Sequence, residues 1–148
     1  MKKKDYKKIG RNVIELQIQA LKKLKSSINK SFNDAIEVIV KCQSKVIICG
    51  VGKSFRIASK ISSTMTSVGT PSFALSAGDC SHGDLGCITK KDVLILISYS
   101  GETKELKNII QYANRNRITL IGIVSKKNSI LYKASAVSYT HLRAHETR

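Results

Sequence analysis

Two short stretches hold most of the chemistry this chain can offer. "GVGKS" (Gly50–Ser54) closes an apolar run with glycine, lysine and a hydroxyl. "SYSGET" (Ser98–Thr103) gathers three hydroxyls and a carboxylate around Gly101. The first looks like the end of a nucleotide P-loop, G-x-x-x-x-G-K-[ST]. Counting back from Gly52–Lys53–Ser54 puts Ile47, not glycine, at the first position of that motif. The loop is also too short to wrap a triphosphate, which argues against NTPase chemistry. A sharp strand-to-helix turn remains. Gly50 and Gly52 let the backbone turn and approach a ligand closely, and Lys53 projects over the strand ends. The blander reading is a turn with a solvated lysine.

"SYSGET" shifts the balance. Ser98, Ser100 and Thr103 surround Gly101, and Thr103 sits at a helix start, where free N–H groups and the helix dipole favour an anion. That set suits one phosphate monoester, although the same hydroxyls could serve only as helix caps. Glu102 is the odd member, because a phosphate would repel it. It makes sense if it faces another part of the ligand and moves protons. Otherwise it is a first-turn acid that the dipole favours.

The elements that must position these loops alternate along the chain. Helical spacing of Val13, Leu16, Ala20, Leu21 and Leu24 predicts a helix over 13–24. A second is expected over 31–42, with Phe32, Ala35, Ile36, Ile39 and Val40 inward and Ser31 with Asp34 as a loose capping signal. Strands are expected at 45–50, 71–75, 92–98 and 119–124, short and apolar as in buried parallel sheets. Helices are expected at 54–69, with Ile57, Ile61, Met65 and Val68 apolar, and at 103–116, with Leu106, Ile109, Ile110 and Ala113 inward. Residues 76–91 form a long connection with at most one helical turn, and "SILYKASA" begins a further helix. The pattern is that of an α/β fold with a parallel sheet and right-handed crossovers. Such sheets bind ligands at the carboxyl ends of their strands, where both loops fall.

The totals fit one domain. The chain has 148 residues, 42% hydrophobic, with a net charge of +16. The charge invites a nucleic-acid reading. Its lysines are scattered, however, aromatics are only 5%, and no nucleic-acid-binding motif is visible, so no specific nucleic-acid partner is expected. No apolar run reaches the roughly 20 residues of a membrane helix, and no signal-peptide core follows "MKKKDYKK". A cytoplasmic protein with no membrane partner is expected. Cys42, Cys49, Cys80 and Cys87 form no zinc spacing and read as reduced, space-filling thiols.

Taken together, "GVGKS", "TPSFALSAGDCSHGDLGCIT" (Thr70–Thr89) and "SYSGET" resemble the sugar isomerase (SIS) domain, and within it the arabinose 5-phosphate isomerase family. The resemblance runs from about Ile9 to Val137. It implies a three-layer, flavodoxin-like or Rossmann-like SIS fold, here incomplete at the C-terminus. It also implies interconversion of D-ribulose 5-phosphate and D-arabinose 5-phosphate, a precursor of lipopolysaccharide or capsule sugar. Residue by residue, it implies that Lys53 and Glu102 are catalytic. Gly52, Ser54, Ser98, Ser100, Gly101 and Thr103 would hold the substrate and its phosphate. His82 of "SHGDLG" would line the sugar site, where it could take an inhibitory metal; no metal or other cofactor is required. A homotetramer is the expected assembly of the full-length protein. A non-catalytic phosphosugar-sensing SIS module is the alternative.

Three segments follow. Residues 1–44 are N-terminal helices, 45–137 a partial SIS core, and 138–148 ("SYTHLRAHETR") read as a non-native tail. His141 and His145 in that tail lack the glutamate of a helical zinc motif and are not expected to bind metal. Val137 should enter a fifth strand that the tail does not continue, leaving the fourth strand as an unpaired edge and the isolated chain prone to aggregate.

Overall fold

In the computed structural model, residues 5–140 are described. The chain runs α1 (Tyr6–Ser26), α2 (Lys30–Val40), β1 (Val46–Gly50), α3 (Lys53–Ser67), β2 (Ser72–Ser76), two single 3₁₀ turns (Asp79–His82 and Asp84–Cys87), β3 (Val93–Ser98), α4 (Lys104–Arg115), β4 (Thr119–Val124), α5 (Ile130–Ala134) and β5 (Val137–Thr140). The five strands form one sheet in the order β2-β1-β3-β4-β5, with every pairing parallel.

Alternation along the buried strands divides the core in two. Ile47 and Cys49 of β1, with Leu94 and Leu96 of β3, face one side, where Leu106, Ile109, Ile110 and Ala113 of α4 cover them together with Leu131 of α5. Val46 and Ile48, with Val93 and Ile95, face the other, where Ala58 of α3 packs with Ala35 and Ile39 of α2. Helices therefore sandwich the sheet, the arrangement a continuous apolar parallel sheet requires.

Several expectations change. The fifth strand is present: Val137–Thr140 pairs in parallel with Ile121–Val124, so β4 is paired on both sides and the outer edge belongs to β5. A parallel ladder asks only for backbone groups and β-compatible side chains, and Val-Ser-Tyr-Thr supplies them without apolar alternation. Residues 138–140 of the expected tail are thus strand, while His141 and His145 lie outside the described residues. On α3 the inward positions are Ala58 and Ser62, flanked by the partly buried Ile61 and Met65, whereas Ile57 and Val68 are exposed. Small residues face β1 there because the helix start lies close against the strand end. Asn29, not Ser31, caps α2, its side chain accepting from the Ser31 N–H. On α2, Phe32, Ile36 and Val40 are exposed. No residue of α1 is buried, and Val13, Leu16 and Leu21 of its expected inner face are exposed. No helix among the described residues is long and apolar enough to cross a membrane.

Candidate functional site

The strand order places the site. From β1 the chain crosses to β2 on one side and later to β3 on the other. The helices after β1 and β3 lie on opposite faces of the sheet, α3 on one and α4 on the other. Their starting loops diverge and leave a crevice at the carboxyl ends. Gly50 pairs with Ile97, one residue before Ser98, so "GVGKS" and "SYSGET" stand side by side.

The first loop is built from bare backbone. A Cβ on Gly50 would lie 2.8 Å from the backbone carbon of Ser54, so only glycine lets α3 begin this close to the strand. Gly52 turns the chain with φ +55° and caps α3 without a side-chain bond. Lys53, the first residue of α3, is exposed, and Ser54 beside it is half-buried.

The second loop is tied to itself. Ser98 is 4% exposed, and its Oγ accepts from the Gly101 N–H at 3.0 Å and bonds the Thr103 hydroxyl at 2.8 Å. Ser100 Oγ accepts from the Glu102 N–H at 3.2 Å. Gly101 has φ +68°, and an added Cβ would collide with Ser129 and lie 2.6 Å from Val124 Cγ2. Thr103 occupies the N-cap of α4, yet its hydroxyl turns to Ser98 rather than capping the helix. The hydroxyls thus bond within the loop and do not cap α4. The Gly101 and Glu102 amides, expected to help with an anion, are here engaged by Ser98 and Ser100.

Sequence reasoning missed a third segment, the β4–α5 connection. Ser125 N–H donates to Tyr99 O, and Leu131 N–H donates to Gly101 O, each at 3.1 Å. Ile130 N–H donates to Glu102 Oε1 at 2.9 Å. Ser129, 2% exposed, caps α5 by accepting from Tyr132 N–H. The readable signal was the serine opening "SILYKASA", a helix N-cap at a strand's carboxyl end.

His82 lies in the first 3₁₀ turn; its side chain is outside what the structure describes. Nearby, Cys49 and Cys80 are buried free thiols. The hydrogen bond to Cys80, then burial, pushes the Cys49 thiol up, so it stays protonated. At the opposite end of the sheet, Asp92 is 1% exposed and accepts from Lys45 Nζ at 3.1 Å and from the Thr89 N–H at 2.7 Å. Burial pulls its carboxyl up, but the bonds from Thr89, Ser44 and Lys45 outweigh this and hold it below the usual carboxylate range.

The chain is similar to known proteins over most of its length. An uncharacterized protein of Rickettsia prowazekii is 43% identical over 131 residues, 88% of this chain and 41% of the relative. The Yersinia pestis arabinose 5-phosphate isomerase KdsD is 39% identical over 133 residues, 90% of this chain and 40% of that protein. The chain thus spans about two fifths of the length of these curated relatives. Among solved structures, Escherichia coli CFT073 c3406 in complex with arabinose 5-phosphate superposes with a TM-score of 0.87 at 34% identity, covering 95% of this chain and 74% of that one. The Vibrio vulnificus NanR protein complexed with ManNAc-6P shares the fold, with a TM-score of 0.82 at 17% identity over 95% of this chain and 54% of that chain. The family model described as the SIS domain matches residues 39–147, and the chain belongs to that family.

Proposed function

We propose that this chain is the substrate-binding part of a phosphosugar aldose–ketose isomerase that interconverts D-ribulose 5-phosphate and D-arabinose 5-phosphate. One observation carries the reading: the register of β1 and β3 sets a lysine loop beside a hydroxyl loop whose glutamate is already held by one oxygen. The KdsD relatives and the solved neighbour bound to arabinose 5-phosphate support the substrate class.

In this reading Ser98, Ser100 and Thr103 exchange bonds within their loop for bonds to the phosphate. Gly101 lets that loop pass close to the ligand, and Gly52 and Ser54 do the same on the facing side. Anchoring the phosphate fixes the reacting end of the sugar at a distance. Glu102 removes a proton from the carbon beside the carbonyl, giving an enediolate, and returns it to the neighbouring carbon. The Lys53 ammonium stabilises the developing oxyanion and gives it a proton, taking one back from the neighbouring hydroxyl as that oxygen becomes the new carbonyl. His82 lines the sugar end. We place the protein in the cytoplasm, feeding lipopolysaccharide or capsule synthesis. Its assembly is a homotetramer, supported by exposed Ile9, Val13, Ile14 and Leu21 on α1; sedimentation of the full-length protein tests this.

The functional test is turnover by the full-length protein. D-Ribulose 5-phosphate should yield D-arabinose 5-phosphate, and Lys53→Ala should lower kcat by about a hundredfold or more. Tight phosphosugar binding without turnover would instead assign a sensing module.

A further inference from the structure

Glu102 lies in an exposed loop and, among the described residues, makes no ion pair. Ordering a free glutamate costs up to about 2 kcal/mol of rotamer entropy. A carboxylate that must meet one carbon atom therefore needs a holder, and the β4–α5 connection has the geometry of one. It is fastened to "SYSGET" by Ser125 N–H on Tyr99 O and Leu131 N–H on Gly101 O. Ser129 also fills the space over Gly101 where a Cβ would stand. These three ties fix where the Ile130 peptide lies relative to Glu102.

The capping pattern then decides which N–H is left. Ser129 Oγ donates to Lys126 O at 2.8 Å and accepts from Tyr132 N–H at 3.3 Å. The Ile130 N–H, first in α5, has no carbonyl within its own helix. It goes instead to Glu102 Oε1. One oxygen of the carboxylate is thereby held by backbone, and the other is left to take a proton.

We infer that the Ile130 peptide N–H, seated by Ser129, is the positioning group that orients the Glu102 carboxylate for proton transfer. This rests on the reading of Glu102 as the base. Ile130 and Ser129 act through Glu102 and need not touch the substrate.

Ile130→Pro tests it with little collateral change. Proline deletes the N–H and is well tolerated at the first position of a helix. The residue before a proline must be extended, and Ser129 already is, at φ −72° and ψ 161°. The Ile130 side chain is 38% exposed, so little core is lost. In the full-length protein, Ile130→Pro should lower kcat about tenfold or more while KM changes less than about threefold, since a small misplacement of a reacting group costs rate before affinity. Ile130→Ala, which restores the N–H, should bring kcat back to within about threefold of wild type.

Amide NMR gives a second readout that does not depend on turnover. The Ile130 amide proton should move upfield in Glu102→Ala and stay close to wild type in Glu102→Gln, whose carbonyl still accepts. Wild-type kcat in a folded Ile130→Pro, or an Ile130 amide indifferent to Glu102→Ala, overturns the inference; if Ile130→Pro does not fold, the amide shift decides. Failure of the underlying readings shows elsewhere: no turnover by the wild type removes the isomerase, and full turnover in Glu102→Gln removes the base.

Discussion

The two loops of the crevice sit side by side but are built on opposite principles. "GVGKS" delivers one exposed cation on a glycine turn, and its glycines matter for backbone approach. "SYSGET" is a knot in which Ser98, Ser100 and Thr103 bond within the loop, while Glu102 and Gly101 are fastened to α5. A point charge works over distance and tolerates a loose mount. A proton acceptor and a phosphate cradle, the roles proposed for the second loop, require fixed geometry. The second loop therefore carries the structural cost, and substitutions in the two should separate stability from activity.

Gly101→Ala should do the most damage to the fold. It imposes a positive φ on a residue with a Cβ, worth about 1–2 kcal/mol. It also overpacks Ser129 and Val124, worth about 1–3 kcal/mol more. The urea midpoint of the chain should fall accordingly; an unchanged midpoint would mean that the loop is not knotted as described. Ser98→Ala comes next. It leaves the buried Gly101 N–H without its acceptor, and about 1–3 kcal/mol should be lost.

Acid sharpens the contrast from the far end of the sheet. Asp92 has its carboxyl pKa lowered in the folded state, so its contribution is present above the unfolded value of 3.8 and is lost as pH falls through the folded value. Stability followed by circular dichroism should drop below about pH 4, and Asp92→Asn should flatten that drop. Loss of stability on raising the pH instead would reverse the sign and refute the assignment. Lys53→Ala should have the smallest effect on stability, within about 0.5 kcal/mol, because the side chain is exposed at the start of α3. Its turnover should still collapse. A large stability loss would show that the first loop is knotted too.

The sheet was legible because buried parallel strands write themselves as continuous apolar runs: the expected range of 119–124 is β4 without change. The α4 face was equally plain, since Leu106, Ile109, Ile110 and Ala113 repeat at helical spacing and are all buried. The α3 face was not. Close approach selects Ala58 and Ser62, which a search for large apolar residues passes over. Val137 was expected to enter a fifth strand, but its continuation over residues 138–140 escaped notice because an edge strand needs little apolar alternation. In the site, residue types pointed to Lys53, Glu102 and the hydroxyls. The partners that hold Glu102 and the backbone of its loop are backbone groups of residues 125–131, and a peptide N–H leaves no mark in a sequence beyond the cap that precedes it.

Glu102→Gln in the full-length protein bears most directly on the whole account. The substitution keeps the acceptor for Ile130 N–H and removes only the basic oxygen. Conversion of D-ribulose 5-phosphate to D-arabinose 5-phosphate, followed by phosphorus NMR, should proceed in the wild type and slow by about a hundredfold or more in Glu102→Gln at unchanged thermal stability. Equal rates in the two proteins would contradict the claim that this loop carries the base.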